Sequence, residues 1–329
     1  MTLLECKVSF DSFELKEPFE ISRGVMTELK VLAVRLVDAT GRTGHGEATG
    51  VPYRGETQLS MAQQIGDVAS KLHVDVSGEE LMQWLPPGGA RNALDCALWD
   101  LRAKQSGQRA WQLAGLTSVE PVLTAYTIGL GSEAEVRRKI RAARHLPLLK
   151  LKADATRHVD MVRIAREEHP EARLVIDANQ AWSRELLERI LPELRAQRVE
   201  LIEQPVMRGS DAELDGLVSP IPLAADESCV DRSSLPELQG RYQYVNIKLD
   251  KTGGLSEALA LMRSAREAGF GLMVGNMGGS SLSMAPAHLV AQYCRYVDLD
   301  APMLTRSDRA AAMRYDGAQL SAAEPALWG

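Results

Sequence analysis

From about residue 121 the chain repeats one theme, a short apolar segment followed by an amphipathic stretch. Eight such segments occur: VLTAYTI, LLKLKAD, RLVIDAN, VELIEQP, IPLAADE, YVNIKLD, FGLMVGN and CRYVDLD. Landmarks in the last seven (Lys152, Asp177, Glu203, Asp226, Lys248, Gly275 and Asp298) stand 25, 26, 23, 22, 27 and 23 residues apart. Continuous apolar runs suit strands covered on both faces, while HVDMVRIAREEH and LSEALALMRSAREAG carry the helical period. Near-regular strand–helix units in this number predict an α/β fold, a parallel (β/α)₈ barrel. An open doubly wound sheet is the alternative, but no GxGxxG follows any of these strands.

The first ~120 residues read differently. KVSFDSFEL and LKVLAVRLVDATGRTGHGEA alternate as antiparallel strands with a turn at Ala39 to Gly44. Helical patterns follow at 57–73, 78–84 and 91–107, the last ended by Gly107. This predicts an α+β unit over 1–118 and the barrel over 119–302, with a C-terminal segment of about 303–329 completing the first unit.

The formal net charge of −6 argues against nucleic acid or an anionic membrane as partner. No apolar run is long enough to span a bilayer, and MTLLECKVSF lacks the charged leader of a signal peptide. Cys6, Cys96, Cys229 and Cys294 lie far apart, without CxxC, as expected of reduced thiols in a cytoplasmic protein. The residues leave room for a homo-oligomer.

Nearly every barrel segment ends its apolar run on a charge: Lys150 and Lys152, Asp177, Glu203, Asp226, Lys248, then Asp298 and Asp300. One charge at a strand end is ordinarily a solvated rim residue. Six of eight strands are another matter, because barrel strands deliver their C-terminal ends to the face where this fold places active sites. Asp177, Glu203 and Asp226 come from consecutive strands about 4.8 Å apart, so their charges repel. Protonation or a cation relieves such crowding, and an oxygen-only triad suits Mg²⁺.

Lys152 precedes the acids and Lys248 follows them, which places an amine on either flank of the metal. Lys150 and Lys152 alternate onto one face of LLKLKAD while the leucines take the other. A second ammonium and a nearby divalent ion each lower a lysine pKa towards that of a general base.

The pieces KLK (150–152), DANQAW (177–182), IEQP (202–205), ADES (225–228), NIKLDKTGG (246–254) and the helix ARNALDCALWDL (90–101) resemble the enolase superfamily along almost the whole chain. The two-lysine arrangement resembles the muconate-lactonizing subgroup. The resemblance implies a modified TIM barrel with an N-terminal capping domain and Mg²⁺ on Asp177, Glu203 and Asp226. It also implies that Lys152 and Lys248 act as paired acid and base, with Lys150 and Asn179 in support. Asp250 and Glu227 are expected behind them. The closing Asp298–Leu299–Asp300 is similar to the Asp-x-Asp of dipeptide epimerases, which binds the ammonium of the dipeptide's first residue. A dipeptide is then the expected substrate, Ala-Glu the first expectation, inverted at the α-carbon of its C-terminal residue.

Side-chain preference is expected from the loops ISRGVMTE (21–28) and TGVPYRGET (49–57), through Arg23, Met26 and Arg54. A more apolar second residue is the rival preference. A muconate cycloisomerase or an o-succinylbenzoate synthase would share the metal and lysines without needing the two aspartates. Against an N-acylamino acid racemase, the Gly/Ser-rich loop GNMGGSSLSMA (275–285) lacks the glutamate that several of those enzymes carry there. A Schiff-base aldolase would need no metal, and a non-catalytic binder would exchange no proton.

Overall fold

The computed structural model describes residues 2–21 and 24–329. The N-terminal unit is built on an antiparallel sheet in the order β1 (Glu5–Ile21), β2 (Gly24–Val37) and β3 (Thr43–Ala48). Three helices pack with it: α1 (Gln58–Val68), α2 (Gly78–Trp84) and α3 (Gly89–Ser106). Thr57 with Ser60, and Ser77 with Glu80, form capping boxes that fix where α1 and α2 begin. Gly107, at φ 71°, ends α3 in the left-handed conformation that glycine adopts without strain.

Helix α3 approaches β3 closely because the strand carries glycine at two facing positions. A Cβ on Gly44 would lie 2.1 Å from the Ala97 carbonyl oxygen, and one on Gly46 2.0 Å from that of Ala93. The small residues of α3 and the glycines of TGHGEA are therefore one packing feature read from two places in the sequence.

The 21–28 stretch, expected as a loop, is largely strand. β1 and β2 pair up to Glu20↔Val25 and Ile21↔Gly24, after a register shift between Glu14 and Phe19. Pro18 has no N–H to give to a ladder, which suits it to that irregularity. The hairpin thus reaches the barrel mouth as a paired ribbon, with Phe19 opposite Met26 near its end.

The first apolar segment of the repeat divides. β4 (Val122–Leu123) leaves the barrel, while β5 (Tyr126–Ile128) opens it. The parallel ladder then runs through β6 (Leu148–Lys152), β7 (Arg173–Asp177), β8 (Val199–Glu203), β9 (Leu223–Ala225), β10 (Tyr244–Ile247), β11 (Gly271–Val274) and β12 (Tyr296–Val297), in sequence order. The ring meets where the Ala125 N–H donates to the Val297 carbonyl at 2.7 Å. β13 (Tyr315–Asp316) and β14 (Gln319–Leu320) form a small antiparallel sheet with β4. The chain end returns to α3, where Trp328 Nε1 donates to the Cys96 carbonyl at 3.0 Å and the Gly329 N–H to Asp100 Oδ1 at 2.7 Å.

Alternation along the barrel strands sets what faces where. Leu149 and Leu151 join the layer under the helices, whereas Leu148 joins Ala125, Val175, Leu201, Ala224, Met273 and Tyr296 inside the ring. That inner layer plugs the barrel, and the charged residues one pleat further along stand above it. Each fully buried leucine contributes about 2 kcal/mol. None of the described helices is long and apolar enough to cross a membrane.

Candidate active site

The ladder brings the charged strand ends side by side. Lys152 is in register with Asp177, and Asp177 with Glu203. Asp226 follows the end of β9, whose Ala224 pairs with Glu203. All three carboxylates are buried, with Asp177 and Glu203 fully enclosed. β6 and β10 lie four places apart in a ring of eight, so Lys152 and Lys248 come from opposite sides of the mouth.

Lysines lie between the acids. Lys150 Nζ is 3.0 Å from Asp177 Oδ2, 2.7 Å from Glu203 Oε2 and 2.8 Å from Asp298 Oδ2. Lys152 Nζ donates to Asp177 Oδ2 at 2.7 Å, and Lys248 Nζ to Asp226 Oδ2 at 2.7 Å. Burial alone would push the Lys150 ammonium down; the charges of Asp177, Asp298 and Glu203 outweigh it and hold the group well above its ordinary value. The expected tuning of one lysine by the other therefore takes a different form. Lys150 is neutralised by three acids and holds them together.

Glu203 is pushed up to about 7, first by burial and then by the charge of Asp177. Asp226 is held well below the usual carboxylate range because Lys248, Lys251 and Lys150 outweigh the effect of its burial. Lys248 is raised, the charge of Asp226 outweighing burial.

The donor set suits a hard cation. Asn179 Oδ1 is buried without a hydrogen-bond partner, and Glu203 Oε2 accepts no well-directed hydrogen bond although an ammonium group stands 2.7 Å away. Among the described residues no three acids stand as a metal ion would hold them; ammonium groups lie between Asp177, Glu203 and Asp226 instead. A strongly charged oxygen set whose central glutamate is driven towards protonation fits Mg²⁺.

Asn179 and Gln204 sit just past their strands at φ 45° and 35°, a conformation that side chains other than glycine seldom adopt and that gathers at functional sites. The Asn179 N–H donates to Asp177 Oδ1 at 2.9 Å. Gln204 Oε1 accepts from the Asp226 N–H at 2.9 Å and so fixes the backbone that carries the next acid.

A cleft opens above this network, lined by Lys150, Lys152, Lys248, Asn179, Asp298 and Asp300, with Thr127, Asn276 and Met277. Asp298 and Asp300 face it while Leu299 turns away, fully buried. The Thr127 N–H donates to Asp300 Oδ2 at 2.6 Å, and its hydroxyl to Asp298 Oδ1 at 3.3 Å. Asp300 is pushed up to about 7 by burial and the neighbouring Asp298. Asp298 is lowered, the Lys150 charge outweighing burial.

The capping unit supplies the apolar wall: Leu15, Phe19, Met26 and Leu29. Met26 therefore stands where the sequence places it. Arg54 does not line the cleft; it lies in the short turn Pro52–Arg54, with its guanidinium carbon 6.0 Å from the Tyr53 ring centroid. Arg23 lies outside the described residues. Asp250 is also off the cleft: its Oδ1 accepts from the Gly50 N–H at 2.8 Å, which anchors the capping loop to the barrel. Burial pushes Asp250 up to about 7.

Three residues that the sequence reading passed over belong to the network. Thr127 gave no signal, since a lone threonine in an apolar strand is unremarked. Gln204 sits inside the quoted IEQP, and Lys251 lies three residues beyond Lys248, a helical spacing that could have drawn notice.

The family model described as mandelate racemase / muconate lactonizing enzyme, N-terminal domain, matches residues 4–115, and that described as enolase C-terminal domain-like matches residues 132–314. This chain belongs to the enolase superfamily. Curated proteins similar to it include the following two. An L-Ala-D/L-Glu epimerase of Escherichia coli is 39% identical over 95% of this chain and 98% of its own. An N-acetyl-D-glutamate racemase of a Pseudoalteromonas species is 44% identical, over 76% of this chain and 79% of its own. Among solved superfamily structures, an Agrobacterium tumefaciens member with homology to dipeptide epimerases, holding sodium and L-Ala-L-Glu, is 40% identical with a TM-score of 0.96. The match covers 99% of this chain and 100% of that one. A dipeptide epimerase of Methylococcus capsulatus, complexed with Mg and L-Arg-D-Lys, is 28% identical with a TM-score of 0.91, over 98% of both chains.

Proposed function

We propose that this enolase-superfamily protein is a dipeptide epimerase, an isomerase that inverts the α-carbon of a dipeptide's C-terminal residue, with Ala-Glu as first substrate. The observation that carries the reading is the sharing of one cleft by Lys152 and Lys248, from opposite sides, with the Asp298–Asp300 pair. Amines on two flanks suit removal of a proton from one face of a carbon and its return to the other. Two carboxylates in the same cleft suit a cationic end on the same molecule. The epimerase relatives that match nearly the full chain support the same reading.

Asp177, Glu203 and Asp226 would hold Mg²⁺. When bound, the ion supplies electrostatic stabilisation of the negative charge that builds on the substrate carboxylate. This chain's own residues do the rest. One of Lys152 and Lys248 starts neutral and takes the α-proton; the other starts charged and delivers a proton to the opposite face. Their roles exchange with the handedness of the substrate. Lys150 keeps Asp177, Glu203 and Asp298 in one cluster, and Leu15, Phe19, Met26 and Leu29 exclude water from one side. Met26 contributes to side-chain preference, and Arg54 reaches the substrate only if the turn Pro52–Arg54 moves.

A second reading, an N-acetylglutamate racemase, is favoured by one observation. Asp298 is already neutralised by Lys150, and Asp300 is driven towards its neutral form, so the pair carries less charge than a free ammonium site needs. The two readings separate on L-Ala-L-Glu against N-acetyl-L-glutamate, with wild type and Asp298→Asn. An epimerase prefers the dipeptide and loses about 10²-fold in kcat/KM for it on substitution. A racemase prefers the acetylated amino acid and tolerates the change.

A further inference from the structure

We infer that Lys251 is a positioning residue of the metal centre, one that fixes Asp226 without touching substrate. The inference rests on the reading of Asp226 as a metal ligand. Lys251 is fully buried in the short helix Leu249–Thr252 and does not line the cleft. An ammonium has three N–H donors, and three acceptors surround this one: Asp226 Oδ1 at 2.6 Å, the Asn246 carbonyl at 2.9 Å and the Asp226 carbonyl. The two carbonyls take hydrogen bonds and Asp226 Oδ1 faces the ammonium as an ion pair, so Lys251, off the cleft, grips Asp226 rather than meeting a reacting atom.

The grip is asymmetric. Lys251 holds Asp226 Oδ1 from beneath, whereas Oδ2 faces Lys248 at 2.7 Å on the cleft side. Asp226 therefore keeps one oxygen fixed while the other serves the reacting side of the site. Removing the lysine would leave Asp226 free to swing into a closer pair with Lys248 and to take up a proton.

The backbone just after Lys251 is held by the capping unit. Arg91 of α3 donates to the Thr252 carbonyl at 2.6 Å and to the Gly253 carbonyl at 3.1 Å, while Asp95 Oδ2 accepts from the Ser256 N–H at 2.8 Å. Gly253 and Gly254, at φ 72° and 121°, allow this approach, since a Cβ on either would strike Arg91 or Asp95. Docking of the capping unit thus reaches a metal ligand through one buried amine.

The test is calorimetric titration of Mg²⁺ into wild type, Asp226→Asn and Lys251→Met, with melting temperatures measured alongside. Asp226→Asn is expected to abolish tight binding; unchanged affinity there would overturn the ligand reading and the inference with it. Lys251→Met is expected to weaken Mg²⁺ binding about 10- to 100-fold, the usual effect of losing a group that orients a ligand. Loss of a repelling positive charge would by itself tighten binding, so an unchanged or tighter affinity, with Asp226→Asn defective, would overturn the role of Lys251 alone. A lysine that only supported the fold would lower the melting temperature and leave affinity in place. Should Lys251→Met not fold, Lys251→Gln decides by the same titration: its amide can still reach the two carbonyls but brings no charge to Asp226, so Mg²⁺ binding is expected to weaken in the same range. Unchanged affinity there would overturn the inference.

Discussion

The two ends of the barrel handle charge in opposite ways. At the N-terminal end, Arg173 pairs with Glu200 at 2.8 Å, and both remain roughly a third exposed. Arg173 and Arg295 also lie over the Tyr296 ring, 5.9 and 5.6 Å from its centroid. At the C-terminal end, five carboxylates (Asp177, Glu203, Asp226, Asp298, Asp300) and three lysines (Lys150, Lys248, Lys251) are all buried. One inner apolar layer separates the two ends. Exposed pairs cost little and contribute little, about 0–1 kcal/mol. Buried ions carry a desolvation penalty of several kcal/mol each, which fold stability alone does not require. The difference marks the upper end as the working face and the lower end as ordinary barrel closure.

Removing either flanking amine gives the largest expected effect. Lys152→Ala and Lys248→Ala should each lower epimerisation by about 10³-fold or more, while leaving α-proton exchange from one epimer and abolishing it from the other. NMR of the α-proton from each epimer separately checks this. Equal loss from both epimers would place the two amines on one side. Asp300→Asn comes next. It keeps the size of a group already driven towards neutrality, so a loss of about tenfold in kcat/KM for L-Ala-L-Glu is expected, smaller than for Asp298→Asn.

A milder effect follows from Glu203. Its pKa is raised to about 7 in the metal-free protein, so below that pH the folded state holds a proton that Mg²⁺ must displace. Mg²⁺ affinity should rise about tenfold per pH unit up to roughly 7 and then level off. By the same sign, the raised pKa makes the metal-free protein lose stability as pH climbs from about 4.5 to about 7. Flat affinity over that range, read by calorimetry, would remove Glu203 from the metal centre. The smallest effect belongs to the lower end. Glu200→Gln should change activity less than about twofold and stability by at most about 1 kcal/mol. A large loss of activity there would erase the contrast between the two ends.

What the sequence makes legible follows from what has local grammar. All eight apolar segments contain a barrel strand, and the charges that end them converge on one mouth, because alternation fixes the face of every strand residue. The break at Thr124 and Ala125 is invisible in VLTAYTI, since the apolar pattern runs on while the chain changes sheets. The grip of Lys150 on acids from three other strands depends on closure of the ring, not on its neighbours in sequence. Asp250 and Arg54 are set by the docking of the capping unit, which no periodicity encodes. Asp250 ties down Gly50 and Arg54 lies against Tyr53.

Incubation with L-Ala-L-Glu and Mg²⁺ in D₂O, followed by mass spectrometry, tests the proposed chemistry most directly. The expected result is a gain of one deuterium at the α-carbon of the glutamate, together with appearance of the L-Ala-D-Glu epimer. Retention of the original mass across a panel of dipeptides, with N-acetylglutamate gaining deuterium or nothing exchanging at all, would contradict it.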